Sequence, residues 1–174
     1  NMLAIDLSRS SLAYGIRKSQ ELGVANIDFA QADILQMGSI TKKFDYIESI
    51  GVLHHMENPK KGLKILANML VPGGMIRIAL YSEIGRKSIV SAREFIEEKG
   101  YRSISNDIKK CRQEIILLEK SHPVRDVVDI IDFYTTSNCR DLLFHVQEHR
   151  YTLLEIQNMF DELDLELLCL EVRS

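Results

Sequence analysis

Met2-Leu-Ala-Ile-Asp-Leu-Ser8 is the stretch on which the reading of this chain turns. Leu3 to Ile5 is apolar and too short to stand alone, so it reads as a buried strand of a larger sheet. The run stops on Asp6, and Ser8 then offers a side-chain oxygen to open a helix. Related segments follow downstream. Gln31-Ala-Asp-Ile-Leu35 comes after a strand predicted over 27–30 and sets Asp33 just past its end. Phe44-Asp-Tyr-Ile-Glu-Ser-Ile-Gly-Val-Leu-His-His-Met56 opens on a strand over 44–50. Leu70-Val-Pro-Gly-Gly-Met-Ile-Arg-Ile-Ala-Leu80 reads as a turn at Pro72-Gly73-Gly74 feeding a strand over 75–81. Between these runs, Leu12, Ile16 and Leu22 fall roughly on one face of a helix closed by Gly23, and Pro59 opens another carrying Leu63, Leu66 and Leu70. Strands alternating with helices predict a parallel, doubly wound sheet. Strands that end on polar or acidic residues suit a sheet whose carboxyl ends face a ligand.

Composition bounds what such a chain can be. Its 174 residues, 45% apolar and 27% charged, suffice for a domain with a core. A net charge of −3 gives no general pull toward nucleic acid or anionic lipid. The absence of tryptophan and the scarcity of other aromatics argue against a base-stacking platform. Cys111, Cys139 and Cys169 lie far apart, which argues against a disulfide framework or a cysteine zinc knuckle and fits a reducing cytoplasm. No run approaches the roughly 18 apolar residues of a membrane span.

After Tyr81 the pattern becomes helical and polar. Helices are expected over 88–99, closed by Gly100, and over 105–120, with Ile108, Cys111, Ile115 and Leu118 on one face. Pro123 separates the second from 124–131. Residues 132–138 read as a loop and 140–148 as a short helix. Thr152 with Glu155 makes a capping box for a last helix. Residues 165–172 then read as a closing strand. Residues 83–150 exceed a simple strand-to-helix connection. Arg140, His145 and His149 lie in a stretch dense in groups that bind polar substrates, and they are the candidate acceptor-binding residues. The plainer reading of that stretch is a packed helix with Leu142, Leu143 and Val146 inward.

Two carboxylates stand at predicted strand ends. Asp6 can accept from both hydroxyls of a ribose, or it can simply cap the helix that follows. Asp33 can accept from an adenine amino group, or serve as an ordinary turn residue. His54 and His55 follow a strand end, where any ligand in the crevice would lie.

Taken in order, the four quoted segments resemble the successive motifs of class I S-adenosylmethionine-dependent methyltransferases, especially the broad group that includes quinone-biosynthesis enzymes. The resemblance spans residues 2–82 and extends to 151–172. It implies a Rossmann-like fold, with S-adenosyl-L-methionine as cofactor. It further implies that Asp6, with Leu7 beside it, holds the ribose. Asp33 and the backbone of Ile34 meet the adenine, and Ser49 and Ile50 flank the methionine portion. That family's first strand and Gly-x-Gly loop have no counterpart in these residues. The expected architecture is therefore a partial core over 1–82, incomplete at its amino end. A helical insert over 83–150 covers the acceptor site, and 151–174 supply the last helix and strand. The stretch over 132–151 also looks like one found in bacterial methyltransferase domains beside tetratricopeptide repeats. The implied partners are an unidentified methyl acceptor and the remainder of a longer protein, with such repeats as a candidate.

The activity expected is methyl transfer to that acceptor. His54, His55 and Tyr81 are the candidate catalytic groups, because an oxygen or nitrogen acceptor needs a base. The alternative is a non-catalytic binding module on the same fold. A zinc hydrolase ranks last: His145-Val-Gln-Glu148-His149 fits H-x-x-E-H, which needs a helix to set both histidines on one face, and no third ligand is identifiable. No metal is expected.

Overall fold

The computed structural model describes residues 1–144 and 147–171. It is an α/β chain in two compact units, Asn1–Glu48 with Lys60–Arg77, and Ser49–Pro59 with Ile78–Ser174. The division falls within the strands Phe44–Ser49 and Leu70–Ile78.

The first unit begins with β1 (Met2–Asp6), α1 (Arg9–Glu21) and β2 (Ile27–Gln31). β1 and β2 pair in parallel, from Met2 opposite Ile27 to Asp6 opposite Gln31. Ser8 caps α1, its hydroxyl accepting from the Ser11 amide at 3.3 Å. Gly23 ends the helix at φ +68°, a left-handed conformation that glycine adopts without cost. The inward face of α1 is Leu12, Gly15 and Ser19; Ile16 and Leu22 are exposed, and no residue of the helix is buried. Gly15 explains this rotation. A Cβ there would stand 2.9 Å from the Phe29 ring, so only glycine lets the helix lie this close to β2.

A 3-10 helix over Ile34–Ser39 leads to β3 (Phe44–Ser49), and α2 (Pro59–Asn68) leads to β4 (Leu70–Ile78). β3 and β4 pair with each other. The Phe44 amide donates to Met69 O at 2.8 Å, and the Ala79 amide donates to Ser49 O at 3.2 Å, so the pair runs in one direction. The expected turn at Pro72-Gly73-Gly74 lies inside β4. Gly73 has φ +77°, and a Cβ on Gly74 would sit 3.2 Å from Asp45 O. The segment is a glycine kink pressed against the neighbouring backbone, and the strand continues through it. The β1–β2 and β3–β4 ladders are separate two-stranded sheets. Met37, Ile65 and Met69 form a small core cluster in this unit, with Ile5, Ala32, Ile34, Phe44 and Ile47 against it, and Leu63 and Leu66 of α2 are buried as well.

The second unit adds β5 (Tyr81–Ser82), α3 (Lys87–Glu98), α4 (Ser105–Leu117), α5 (Thr136–Leu143), β6 (Arg150–Tyr151) and α6 (Leu153–Asp161). 3-10 segments at Pro123–Asp129 and Ile131–Phe133 join α4 to α5. The helices enclose one core, in which Ala92, Ile108, Cys111, Ile115, Val127, Phe133 and Cys139 are completely buried. β5 and β6 pair in parallel, Tyr81 opposite Arg150 and Ser82 opposite Tyr151. The capping box at Thr152 and Glu155 forms as expected.

Three further expectations are corrected. The strand over 75–81 ends at Ile78, and Tyr81 belongs to a separate ladder with β6. The short helix is Thr136–Leu143, capped by Thr135, so Glu148 and His149 lie outside it. The cause is local: the Thr135 hydroxyl meets the Asn138 amide and starts the helix early, and burial of Leu142 and Leu143 fixes its end. Over 165–171 no strand forms, because no neighbouring edge takes up its backbone; Leu168 is 70% exposed. Val172 lies outside the described residues.

Candidate functional site

Asp6 and Asp33 stand at the same, carboxyl end of the parallel β1–β2 pair. The Ala32 amide donates to Asp6 O at 3.2 Å, carrying the register to within one residue of Asp33. Each carboxylate uses its Oδ1 locally: Asp6 accepts from the Ser8 amide at 2.7 Å, and Asp33 accepts from the Leu35 amide at 2.9 Å. A local, backbone-holding role, read from sequence as a helix-start carboxylate at Asp6 and a turn residue at Asp33, is thus present at both positions. It occupies one oxygen of each carboxylate and orients the other. Leu7 is 65% exposed, its carbonyl accepting from the Gln31 side chain at 2.9 Å. Ile34 is half-buried at the start of the 3-10 helix.

Ser49 and Ile50 belong to the second unit. Ser49 is buried, and its hydroxyl has no hydrogen-bond partner among the described residues. A buried polar atom without a partner is costly, so it marks a place where a ligand or water belongs. Ile50 beside it is exposed.

The three candidate catalytic groups come together within the second unit. The Tyr81 ring has its centroid 3.8 Å from that of His54 and 5.7 Å from that of His55. An open cleft of about 190 Å³ is lined by His55, Tyr81, Asp132, Asn138, Asp141 and Leu142. This volume suits the reacting end of a molecule rather than a whole one. Asn138 donates to Asp132 at 3.0 Å, which fixes one wall.

His54 is not part of the cleft lining. It is 2% exposed, and its Nδ1–H donates to Ala79 O at 3.2 Å. Burial and then the charge of His55 push its pKa down to about 4, so the ring is neutral at pH 7 with the lone pair on Nε2. His55 is half-buried and donates from Nδ1 to Gln147 O at 3.1 Å. In the neutral ring this leaves the lone pair on Nε2, the arrangement a proton acceptor needs.

The segment 147–149 holds this cluster. The His149 amide donates to His54 O at 2.8 Å, and Gln147 Nε2 donates to Met56 O at 3.2 Å. Between them, the Glu148 side chain is fully buried and bound by two arginines of the α3 region. Arg86 pairs with both its oxygens, Nε to Oε1 at 3.1 Å and Nη2 to Oε2. Arg93 Nη2 reaches Oε2 at 2.9 Å and also Leu142 O at 3.2 Å. Burial by itself would raise the Glu148 carboxyl; Arg86, by hydrogen bond and charge, and Arg93 bring it below the ordinary range. Arg86 also lies over the Tyr81 ring, 3.9 Å from its centroid.

Of the acceptor-binding candidates, Arg140 is half-buried on α5, and His149 is held by its backbone and by Gln147. His145 lies outside the described residues. The helical premise of H-x-x-E-H fails for Glu148 and His149, which lie in no helix, and Glu148 is committed to the arginines. Sequence reading missed Asp132, Asn138 and Asp141 as cleft residues, although they fall in the polar stretch it singled out. It had no signal for Arg86 and Arg93.

The chain is similar in fold to PKMT2 from Rickettsia typhi, with a TM-score of 0.74 at 19% identity over 92% of this chain and 33% of that one. The structure of that protein in complex with AdoHcy gives 0.70 at 22% identity, over 91% of this chain and 33% of that one. YcgJ from Bacillus subtilis gives 0.52 at 18% identity, over 92% and 50%. An uncharacterised protein of Synechococcus is 43% identical over 94 residues, 53% of this chain and 22% of that protein. The chain thus spans a third of the first solved relative, and its match to the curated one covers about a fifth. Residues 1–112 match the family described as "Methyltransferase domain", and the chain belongs to that family.

Proposed function

We propose that this chain is the methyl-transferring part of a longer enzyme, with S-adenosylmethionine as donor and the His55–Tyr81 cleft as the place of the acceptor. The observation that carries the donor half is the pairing of Asp6 and Asp33 at one end of two parallel strands, each with one oxygen tied down locally. In this reading Asp6 and Leu7 hold the ribose, and Asp33 and Ile34 the adenine. Ser49 and Ile50 flank the methionine portion, where the unpartnered Ser49 hydroxyl suits a polar group. The bound donor supplies an activated methyl group on a sulfonium.

The protein's own work is then placement and proton removal. His55 is the base, because it lines the cleft and its Nδ1 is tied to Gln147 O. Tyr81 shapes the wall and offers a hydroxyl to orient the acceptor. His54 is a packing group behind them. Arg140, His145 and His149 remain candidate acceptor contacts. The acceptor and the rest of the parent protein, tetratricopeptide repeats among the candidates, are the partners, and the compartment is the cytoplasm. Among the described residues no helix is long and apolar enough to cross a membrane.

Calorimetry on the full-length protein tests the donor site. We expect S-adenosylmethionine to bind, and Asp6→Ala to weaken it roughly 10- to 100-fold, the worth of hydrogen bonds to a charged group. No binding, or binding indifferent to Asp6→Ala, would leave a non-catalytic module of the same fold as the better account.

A further inference from the structure

We propose that Glu148 is the positioning residue of the acceptor cleft, acting through Arg86 on Tyr81 and through Arg93 on Leu142. This rests on the reading of that cleft as the acceptor site. A buried carboxylate held by two half-buried arginines is poor stabilising material, since taking charges out of water offsets much of their attraction. Its value lies in geometry. The two parallel contacts from Arg86 to Glu148 fix the plane of the guanidinium, which a single contact would leave free to turn. The guanidinium Cζ lies 3.9 Å from the centroid of the Tyr81 ring, which in turn lies 3.8 Å from that of His54. The rotamer of a cleft-lining side chain is thereby set from outside the cleft.

The second arm works on the opposite wall. Arg93 Nη2 bridges Glu148 Oε2 and Leu142 O, and Leu142 lines the cleft at the end of α5. The residues either side of Glu148 complete the clasp. Gln147 O accepts a hydrogen bond from His55 Nδ1–H, and the His149 amide donates to His54 O. One carboxylate thus joins α3, α5 and the segment bearing His54 and His55. Side chains 62 and 55 residues away in sequence meet on it.

The test is nuclear magnetic resonance on the full-length protein with labelled tyrosine, histidine and arginine side chains. Tyr81 is assigned from Tyr81→Phe, and Arg86 from Arg86→Lys. In the wild type the Arg86 Nε–H signal is expected to be slow to exchange and displaced by the Tyr81 ring. In Glu148→Gln that signal is expected to be lost to solvent exchange, and the Tyr81 and His54 ring signals to shift. Arg86→Lys is expected to shift the same ring signals, because an ammonium cannot pair with both oxygens and stack at once. Glu148→Asp should restore them in part. Tyr81 and His54 signals unchanged in folded Glu148→Gln would overturn the proposal. Should that variant fail to fold, unchanged signals in Arg86→Lys would do so. Calorimetry keeps the two readings apart: Glu148→Gln is expected to bind S-adenosylmethionine as the wild type does. Loss of donor binding by the wild type would sink the methyltransferase reading and leave the ring signals to decide the role of Glu148.

Discussion

The strand-rich start of the chain and its helical second half solve the burial problem differently. In β1, α1 and β2 no residue is fully buried, and Met2, Leu7, Tyr14 and Leu22 are all at least half exposed. In α3, α4, α5 and the turns between them, thirteen residues form one closed core. The first region is held chiefly by a backbone ladder and by the contact of Gly15 with Phe29. Parallel pairs of this kind normally sit inside a larger sheet covered on both faces. The second region packs helix on helix and closes its own core. The difference separates two kinds of constraint: strand-end acids need only a fixed backbone, whereas a cleft made of side chains needs a packed wall behind it.

The largest expected effect lies in the helical core. Phe133 is fully buried, and Phe133→Ala should cost about 3–5 kcal/mol in urea unfolding. Ile5 is half-buried, and Ile5→Ala should cost only about 1 kcal/mol. Equal losses would erase the contrast between the regions. Next comes acid. The His54 pKa is depressed to about 4 in the folded protein, against an ordinary 6.5, so the unfolded chain binds the extra proton first. Stability is therefore at its plateau above pH 6.5 and falls as pH drops toward 4, by up to about 3 kcal/mol. His54→Asn, which can still donate to Ala79 O, should flatten that limb of a melting-temperature profile. A slope that persists in this variant would assign the acid sensitivity elsewhere.

Smaller effects belong to the surface. Thr152→Ala removes the hydroxyl that accepts from the Glu155 amide, and should lower stability by about 1 kcal/mol in thermal melts. Glu21 pairs with Arg17 and Lys18 at 3.6 and 2.5 Å, but it sits at the carboxyl end of α1, where the helix dipole disfavours an acid. Glu21→Gln should therefore change stability by less than about 0.5 kcal/mol. A large loss in urea would mean that the first region depends on its surface charges more than on its ladder.

Legibility in the sequence followed the range of the forces involved. Caps, helix ends and short apolar runs are local, so Ser8, Gly23, Gly100 and the Thr152–Glu155 box were readable from neighbours alone. So was the order of strand-end acids that marks the fold. The rotation of α1 was not, because it depends on Phe29 finding room at Gly15. The Pro72-Gly73-Gly74 stretch carries turn residues, yet the approach of Asp45 O makes it part of a strand. His54, His55 and Tyr81 were readable as residues following strands. Asp132, Asn138 and Asp141 reach the cleft only through packing of the helices. A carboxylate and an arginine 62 residues apart give no pattern to read.

The two-residue ladder between β5 and β6 has a consequence for how this protein can change. Tyr81 and Ser82 lie beside Arg150 and Tyr151, and the Glu83 amide adds a bond to Tyr151 O at 3.0 Å, so the helical excursion starts and ends at one point. A segment pinned at its base behaves as a cassette. Its length and sequence can drift at a modest cost in loop-closure entropy, while the strands that would carry the donor keep their register.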